Sequence, residues 1–160
     1  MKPLRKFGPP LVDMLAVRSD LEMQSFFDEA FTPGRYYYWK SSLLRGISED
    51  ACGRAYRMHA EDADEPGKLL LYAAVAWRRS RAKPADSAFP HRYDHYNCGA
   101  MAGWDNEAET EKNIRRSRES WAAMQPYCER NAYVNDLGEE GERRVREAYG
   151  QNYERLLALK

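Results

Sequence analysis

Two histidines, His91 and His95, have the residue type and the spacing best suited to a metal site in this sequence, since they stand four positions apart. On a helix that spacing would let both imidazoles face one ion. The pair follows Pro90, however, and leads into a stretch with the composition of a strand, where residues four apart lie about 13 Å from each other. No cysteine or carboxylate stands at a matching spacing. We therefore predict no metal site, with one histidine hydrogen-bonded to the backbone and the other facing solvent.

One aromatic cluster could bind a flat ligand and one basic cluster could bind an anionic ligand, and each also has a purely structural interpretation. Residues 36–39 read Tyr-Tyr-Tyr-Trp, which suits either a stacking platform or a strand with one row of rings in the core. The basic run at 78–83 suits either a phosphate patch or a solvated loop that faces the acidic run at 61–65. No Gly-rich phosphate loop, His-Glu-x-x-His or Gly-x-Ser-x-Gly motif is present. The residue pattern alone therefore favours the structural alternatives.

The charge balance and the cysteine content argue against several classes of protein. The 160 residues include 25 Lys and Arg and 25 Asp and Glu, so the formal net charge is zero, whereas nucleic-acid binding depends on excess positive charge. No apolar stretch approaches the roughly 20 residues that span a bilayer. Cys52, Cys98 and Cys128 are too few and too scattered for a disulfide framework. We expect a cytoplasmic protein with free thiols and with no nucleic-acid or membrane partner. The 11 Tyr and 4 Trp are a high aromatic content that none of these considerations explains.

The elements that must position these residues begin with a helix. An N-cap at Ser19 or Asp20 predicts a helix through Phe31, which the turn signal at Pro33 and Gly34 ends. Three further elements are predicted before residue 80: a strand at 36–40, a helix from Ser48 to about His59 or Glu61, and a buried strand at 68–77. The Ala-rich composition of the last element also allows a helix.

The second half of the chain predicts one more strand and three helical stretches. The strand covers 93–104, where Asn97, Gly99 and Gly103 indicate that another group approaches closely. A helix at 106–124 is expected to turn Ile114, Trp121 and Met124 inward. A short extended piece at 133–135 and helical stretches at 138–149 and 151–160 follow. The fold class is therefore predicted to be α+β, a mainly antiparallel sheet covered by helices, with a C-terminal helical segment.

The last third of the chain contains two motifs that occur together in one known family. The first is Tyr133-Val134-Asn135, which leads into a helix, and the second comprises Tyr149, Gly150, Asn152, Tyr153, Arg155 and Leu156. Together they closely resemble the C-terminal signature of the berberine-bridge-enzyme-like FAD-linked oxidases. Shorter matches occur upstream in the family's order at Pro3-Leu4-Arg5, Phe7-Gly8, Gln24, Phe27-Asp28, Pro33-Gly34, Tyr38-Trp39-Lys40-Ser41, Ala88-Phe89-Pro90-His91-Arg92 and Tyr96-Asn97. The resemblance thus extends over essentially the whole chain.

This resemblance implies an enzyme that transfers a hydride from an alcohol, sugar or secondary-metabolite substrate to FAD and passes the electrons to oxygen. Residues 1–130 then correspond to part of a substrate-binding domain, and 131–160 to the segment that packs on an FAD-binding domain. Tyr133 and Asn135 are implied as cofactor-binding residues. The implied residues of the substrate pocket are Tyr38, Lys40, His91 and Arg92. The high content of Tyr and Trp would be explained if their rings form the walls of a flavin site.

The sequence departs from the family pattern at three points. The position after Asn135, often the tyrosine that takes the proton of the substrate hydroxyl, is Asp136, which becomes the candidate base. The family's Gly-Gly pair is Ala73-Ala74, and no segment matches the FAD-binding domain. We therefore expect the chain to need an FAD-binding domain, in cis or in trans, before it can act. The alternative is a non-enzymatic domain that keeps the fold and uses an exposed apolar surface for protein interaction or self-association.

Overall fold

The computed structural model describes residues 16–29, 31–61, 68–69, 72–73, 83–138 and 140–160. The chain divides into two compact units, Met1–Gly34 and Arg35–Lys160. The acidic run after Glu61, the basic run before Lys83, Ala74 and the first upstream matches lie outside the described residues. No helix of the described ranges is long and apolar enough to cross a membrane. Those same ranges contain no group of three His, Cys, Asp or Glu side chains arranged to hold a metal ion.

The first unit contains a short helix, α1, at Asp20–Gln24. Ser19 caps it as predicted, because its Oγ accepts from Glu22 N at 3.3 Å while Ser19 N donates to Glu22 Oε2 at 2.7 Å. The predicted continuation as a helix to Phe31 is wrong, since a single 3₁₀ turn at Ser25–Phe27 follows. No residue of α1 is buried by the described part of the chain, so little apolar burial there stabilises further turns.

The second unit is built on an antiparallel sheet, as predicted. Strand β1 (Tyr36–Leu44) pairs with strand β4 (Tyr96–Trp104) along nine residues, from Tyr36 opposite Trp104 to Leu44 opposite Tyr96. Two short strands, β2 (Lys68–Leu69) and β3 (Tyr72–Ala73), pair with the other side of β4. Among the described strands β4 is therefore central, and β1 forms an edge.

Side chains alternate between the two faces of this sheet. The face that we call the Ser41 face carries Trp39, Ser41, Asn97 and Met101, and the face that we call the Ser42 face carries Tyr38, Lys40, Ser42, Cys98 and Ala100. Gly103 lies on the Ser41 face opposite Tyr37, and a Cβ atom there would come within 3.1 Å of the Tyr37 ring. The close approach predicted at Gly103 is thus made by an aromatic ring of the neighbouring strand.

Helices α2 (Glu49–Glu61) and α3 (Thr110–Met124) pack together beside the sheet. Ser48 Oγ caps α2 by accepting from Ala51 N at 3.1 Å. The core cluster contains residues of both helices and both long strands: Leu44, Ala51, Ala55, Met58, Cys98 and Met124. Burial of each large side chain contributes about 1.5–3 kcal/mol. The prediction of a sheet covered by helices is confirmed.

Helix α3 turns Trp121 and Met124 inward as predicted, since Trp121 Nε1 donates to Ser42 Oγ of the sheet at 3.1 Å, but it does not bury Ile114. Met124 is buried as expected, but Ile114 is only half-buried, and Asn113 and Ser117 are buried in its place. The buried amide of Asn113 is satisfied within the helix, because its Nδ2 donates to Glu109 O at 3.0 Å. A buried polar side chain that bonds its own helix is not recognisable from hydrophobic periodicity.

The C-terminal segment, residues 131–160, is more broken than predicted. Residues Val134–Asp136 form a 3₁₀ turn instead of an extended piece, because Asp136 N donates to Tyr133 O at 3.0 Å. Helices α4 (Glu142–Tyr149) and α5 (Tyr153–Leu157) follow. Gly150 separates them with φ +48°, a conformation that disfavours other residues.

Candidate functional site

Asp136 is bound directly to the sheet. Its Oδ2 accepts from Ser41 Oγ at 2.8 Å and from Asn97 Nδ2 at 2.5 Å. Ser41 belongs to β1 and Asn97 to β4, and both lie on the Ser41 face. The two donors fix one carboxylate oxygen in place. Asp136 Oδ1 accepts no hydrogen bond from the described residues.

Asn97 has one unsatisfied group beside this carboxylate. Its Oδ1 atom is buried and has no hydrogen-bond partner among the described residues. A buried acceptor without a donor costs about 1–3 kcal/mol, and such groups are rare in native structures. A hydrogen-bond donor brought by a ligand or by another domain would satisfy this atom.

The predicted cofactor residues lie in the same turn as Asp136. Asn135 Nδ2 donates to Tyr133 Oη at 2.8 Å, and Asn135 is exposed. The Tyr133 ring meets the Phe89 ring edge to face, with centroids 5.7 Å apart. The structure therefore brings the two cofactor residues and the candidate base together within one four-residue turn.

Phe89 connects this turn to the predicted pocket residues His91 and Arg92. The His91 ring lies 5.4 Å from the Phe89 ring in an edge-to-face contact. Arg92 Nε donates to Phe89 O at 3.2 Å, and its Nη2 donates to Ser87 Oγ at 2.6 Å. Arg92 is thus held by Ser87 and Phe89 and not by a neighbouring acid such as Asp94.

The prediction that one of the two histidines faces solvent is wrong. His91 is 5% and His95 3% exposed. His91 Nε2 bonds Ala148 O at 3.0 Å, and His95 Nδ1 bonds Tyr93 O at 2.8 Å. Burial lowers the pKa of His91, although the Ala148 carbonyl opposes the shift. Both rings stay inside because a carbonyl oxygen satisfies each of them.

The other two predicted pocket residues, Tyr38 and Lys40, lie on the Ser42 face, opposite Asp136. Tyr38 Oη accepts from Arg118 Nε of α3 at 3.0 Å. Lys40 Nζ lies 2.7 Å from Glu140 Oε1 and 4.4 Å from the centroid of the Trp121 ring. These contacts face α3 and the C-terminal segment, so the structure does not bring Tyr38 and Lys40 together with Asp136.

Sequence reasoning missed Arg144, which joins the C-terminal segment to the edge of β1. Its Nη2 donates to Ser41 O at 2.7 Å, while Nε and Nη1 bond Glu140 and Glu147 at 3.0 and 2.8 Å. The Arg144 side chain is only 5% exposed. One signal was available, because Arg144 stands four positions after Glu140 and three before Glu147. Nothing in the sequence, however, indicated that this cluster is buried.

Sequence reasoning also missed that Ser41 and Asn97 hold Asp136. Asn has low β-propensity, and Asn97 stands out between Tyr96 and Cys98, whereas Ser41 lies between the polar Lys40 and Ser42 and does not stand out. A polar side chain such as Asn97 in an otherwise apolar strand indicates a position where the side chain binds another group. It does not reveal the partner, because Ser41 and Asn97 meet only through the strand register.

An antiparallel sheet with helices packed beside it and a C-terminal segment bound to its edge strand is a fold that this chain shares with parts of berberine bridge enzyme, a BBE-like protein and the flavoenzyme CrmK. The chain matches CrmK, a flavoenzyme involved in shunt product recycling in caerulomycin biosynthesis, with 24% identity and a TM-score of 0.64. It matches Physcomitrella patens BBE-like 1 with 18% identity and a TM-score of 0.64. Berberine bridge enzyme from Eschscholzia californica is similar with 18% identity and a TM-score of 0.61.

The extent of these matches defines what they establish. Each covers 78% of this chain but only 29%, 27% and 29%, respectively, of the three relatives. No family model matches the chain, and no curated protein is significantly similar to it in sequence. At these identities the likeness is one of fold, and at that level the resemblance to this family noted in the sequence is confirmed.

Proposed function

We propose that this chain is the part of an FAD-linked oxidoreductase that covers the substrate side of a flavin. The observation that carries the proposal is the common fold with several flavoenzymes over 78% of the chain. Residues 1–130 supply part of a substrate-binding domain, and 131–160 supply the segment that meets an FAD-binding domain. That domain belongs to the same polypeptide or to a separate one. The substrate is an alcohol, a sugar or a secondary metabolite.

The residues on the Ser41 face fit a flavin site. Tyr133 and Asn135 would hold the cofactor, since an aromatic ring packs beside a flat ring system and an amide bonds its polar edge. The unsatisfied Asn97 Oδ1 supports this assignment, because it is a buried acceptor that needs a donor from outside the described residues. The chemistry that bound FAD supplies is hydride acceptance and delivery of electrons to oxygen.

Asp136 acts as the general base in this proposal. Ser41 and Asn97 hold Oδ2, so that Oδ1 accepts the proton of the substrate hydroxyl. His91 and Arg92, linked to Tyr133 through Phe89, form the wall of the substrate pocket on this side. Tyr38 and Lys40 contribute from the Ser42 face by supporting the sheet, since their partners are Arg118 and Glu140.

Flavin binding tests the proposal. The chain is purified and mixed with FAD, alone and together with the separately expressed FAD-binding domain that is encoded with it, and flavin absorbance is followed through gel filtration. We expect flavin to co-elute with the chain only when the FAD-binding domain is present. Stoichiometric binding of FAD by the chain alone would contradict the requirement for a second domain. Failure to associate with the FAD-binding domain would contradict the proposed role of residues 131–160.

The role of Asp136 is tested in the assembled enzyme. Loss of a general base lowers kcat by about 10²–10⁴-fold, so Asp136→Asn should reduce alcohol oxidation by that factor and leave flavin binding intact. Asp105→Asn is the matched control, because Asp105 is 74% exposed and pairs only with Arg35 among the described residues. Equal activity of the two variants would exclude Asp136 as the base.

A second function, protein interaction without catalysis, is favoured by the exposed rings of β1. Tyr36 is 41% and Trp39 38% exposed, although both belong to a strand. The two rings lie on opposite faces of β1, which is an edge strand among the described strands, and exposed aromatic side chains at a sheet edge suit an interface. Light scattering of the purified chain distinguishes the two functions. A self-associated chain without flavin affinity, in which Trp39→Ala restores the monomer, would favour the interaction domain.

A further inference from the structure

Cys98 and Cys128 lie together between the sheet and the end of α3. Cys98 is on the Ser42 face of β4, opposite Ser42 of β1. Gln125 Nε2 donates to Ser42 Oγ at 3.2 Å, and this bond fixes the turn that ends at Cys128, three residues further on. Cys98 belongs to the core cluster, and Cys128 packs against it.

The space between the two cysteines is closed to water. Both line one narrow crevice, together with Trp121, Met124 and Gln125, and the crevice has no room for a water molecule. Their exposures differ, since Cys98 is 4% exposed whereas Cys128 is only half-buried. Cys128 is therefore the more exposed residue of the pair, and Cys98 lies behind it in the core.

The surroundings make the two sulfur atoms chemically unequal. The thiol of Cys98 stabilises the Cys128 thiolate by hydrogen bonding, and the Arg144 guanidinium adds to this, so the pKa of Cys128 is lowered despite partial burial. The same interaction, together with burial, raises the pKa of Cys98. A more exposed thiol with a lowered pKa beside a buried thiol with a raised pKa is the arrangement of a nucleophilic and a resolving cysteine.

We propose that Cys128 and Cys98 form a dithiol site that hydrogen peroxide oxidises to an intramolecular disulfide. The Cys128 thiolate attacks one peroxide oxygen, the O–O bond breaks, and Cys128 becomes a sulfenic acid while hydroxide leaves. The Cys98 sulfur then attacks the sulfenic sulfur, its proton combines with the departing hydroxyl, and water is released. The two thiols lose two electrons and two protons, and peroxide is reduced to two molecules of water.

This bond would join the end of α3 to the central strand of the sheet. It would close a loop of 30 residues (128 − 98), which restricts the unfolded chain and raises the unfolding midpoint by up to about 10 °C. Asn97, which binds Asp136, is the neighbour of Cys98. The disulfide would thus fix the strand that supports Asp136. The oxidant is added in the test, so its result is independent of the proposed oxidase activity.

The site is tested by treating the full chain with hydrogen peroxide at neutral pH and mapping the products by mass spectrometry without reduction. We expect a monomer that has lost two hydrogen atoms and yields one cross-linked peptide pair containing Cys98 and Cys128. The same treatment in urea should give mixed pairings that include Cys52. Exposed Cys52 lies on α2 outside the crevice, so Cys52→Ser is the matched control and should leave the product unchanged.

Two variants assign the order of the steps. With Cys98→Ala, the sulfenic acid on Cys128 should persist and be trapped by dimedone. With Cys128→Ser, Cys98 should resist peroxide. A native product dominated by Cys52, or a Cys98–Cys128 bond that forms no faster in the folded chain than in urea, would overturn the proposal. The wild-type mapping decides the question even if a variant fails to fold.

Discussion

Replacement of Arg144 by methionine tests whether the C-terminal segment is anchored by a buried ion cluster. Arg144 bonds Glu140, Glu147 and the Ser41 carbonyl while its side chain is 5% exposed. Glu140 is almost as deeply buried, at 7% exposed. Methionine has a similar length and keeps the apolar contact with Trp121, whose ring centroid lies 5.5 Å from the guanidinium carbon. The substitution therefore removes the charge and the hydrogen bonds with little loss of volume.

The expected loss in the free energy of unfolding depends on the buried Glu140 carboxylate that remains after Arg144 is replaced. Breaking a buried ion pair by removing one partner costs about 3–5 kcal/mol. Glu140 keeps a second partner in Lys40, at 2.7 Å, so we expect the lower end, a loss of about 3 kcal/mol in the free energy of unfolding. For a urea m-value of about 1.5 kcal/mol/M, the midpoint should fall by about 2 M.

Urea unfolding, followed by tryptophan fluorescence, measures this change, and Arg146→Met is the matched control. Arg146 lies on the same helix and also pairs with two carboxylates, those of Glu142 and Glu154, but its side chain is 48% exposed. Exposed pairs contribute little because water screens them, so the midpoint of this variant should hardly move. Equal shifts in the two variants would refute the anchoring role of burial at Arg144.

Two further predictions concern the packing of the C-terminal segment. The stability of the wild-type chain should fall as the pH drops below 6.5, because burial holds the pKa of His91 under that ordinary value and only the unfolded chain then takes up the proton. Thermal melts of His91→Gln should show a flatter dependence of stability on pH between 6.5 and 4.5. An unchanged dependence would exclude His91 as the cause. Gly150→Ala should cost about 1–2 kcal/mol because its φ is +48°, while the Pro90 ring, 3.5 Å from the new methyl group, is at an ordinary contact distance. Gly138→Ala meets no described atom within 4 Å and has negative φ, so it should be nearly neutral in chemical denaturation.

Local signals were sufficient to predict most of the regular elements from the sequence. The aromatic run beginning at Tyr36 became β1, and the caps at Ser19 and Ser48 start helices where the sequence placed them. The errors arose where tertiary contacts determine which side chains of a helix are buried. Ile114 has the right spacing for the core, yet the sheet lies beside Asn113 and Ser117. Hydrophobic periodicity cannot identify a buried face made of small polar residues.

The candidate site was less accessible to sequence reasoning, for a physical reason. Tyr133, Asn135 and Asp136 are neighbours in the chain, and the structure keeps them together. The partners of Asp136 lie 95 and 39 residues away in the sequence, and only the pairing of β1 with β4 brings them to one face. Alternation along β1 also separates Lys40 from Ser41, although the two are adjacent in sequence.

Three contacts require the C-terminal segment to cross the edge of β1. Asp136 is bound to Ser41 on one face, Glu140 is bound to Lys40 on the opposite face, and Arg144 donates to the Ser41 carbonyl between them. Because adjacent strand residues point to opposite faces, the chain between Asp136 and Glu140 must pass around the strand. The ion cluster on the Ser42 face therefore fixes the position of Asp136 on the other face. A substitution of Arg144 that lowers the free energy of unfolding is thus expected also to loosen the position of Asp136, the candidate base.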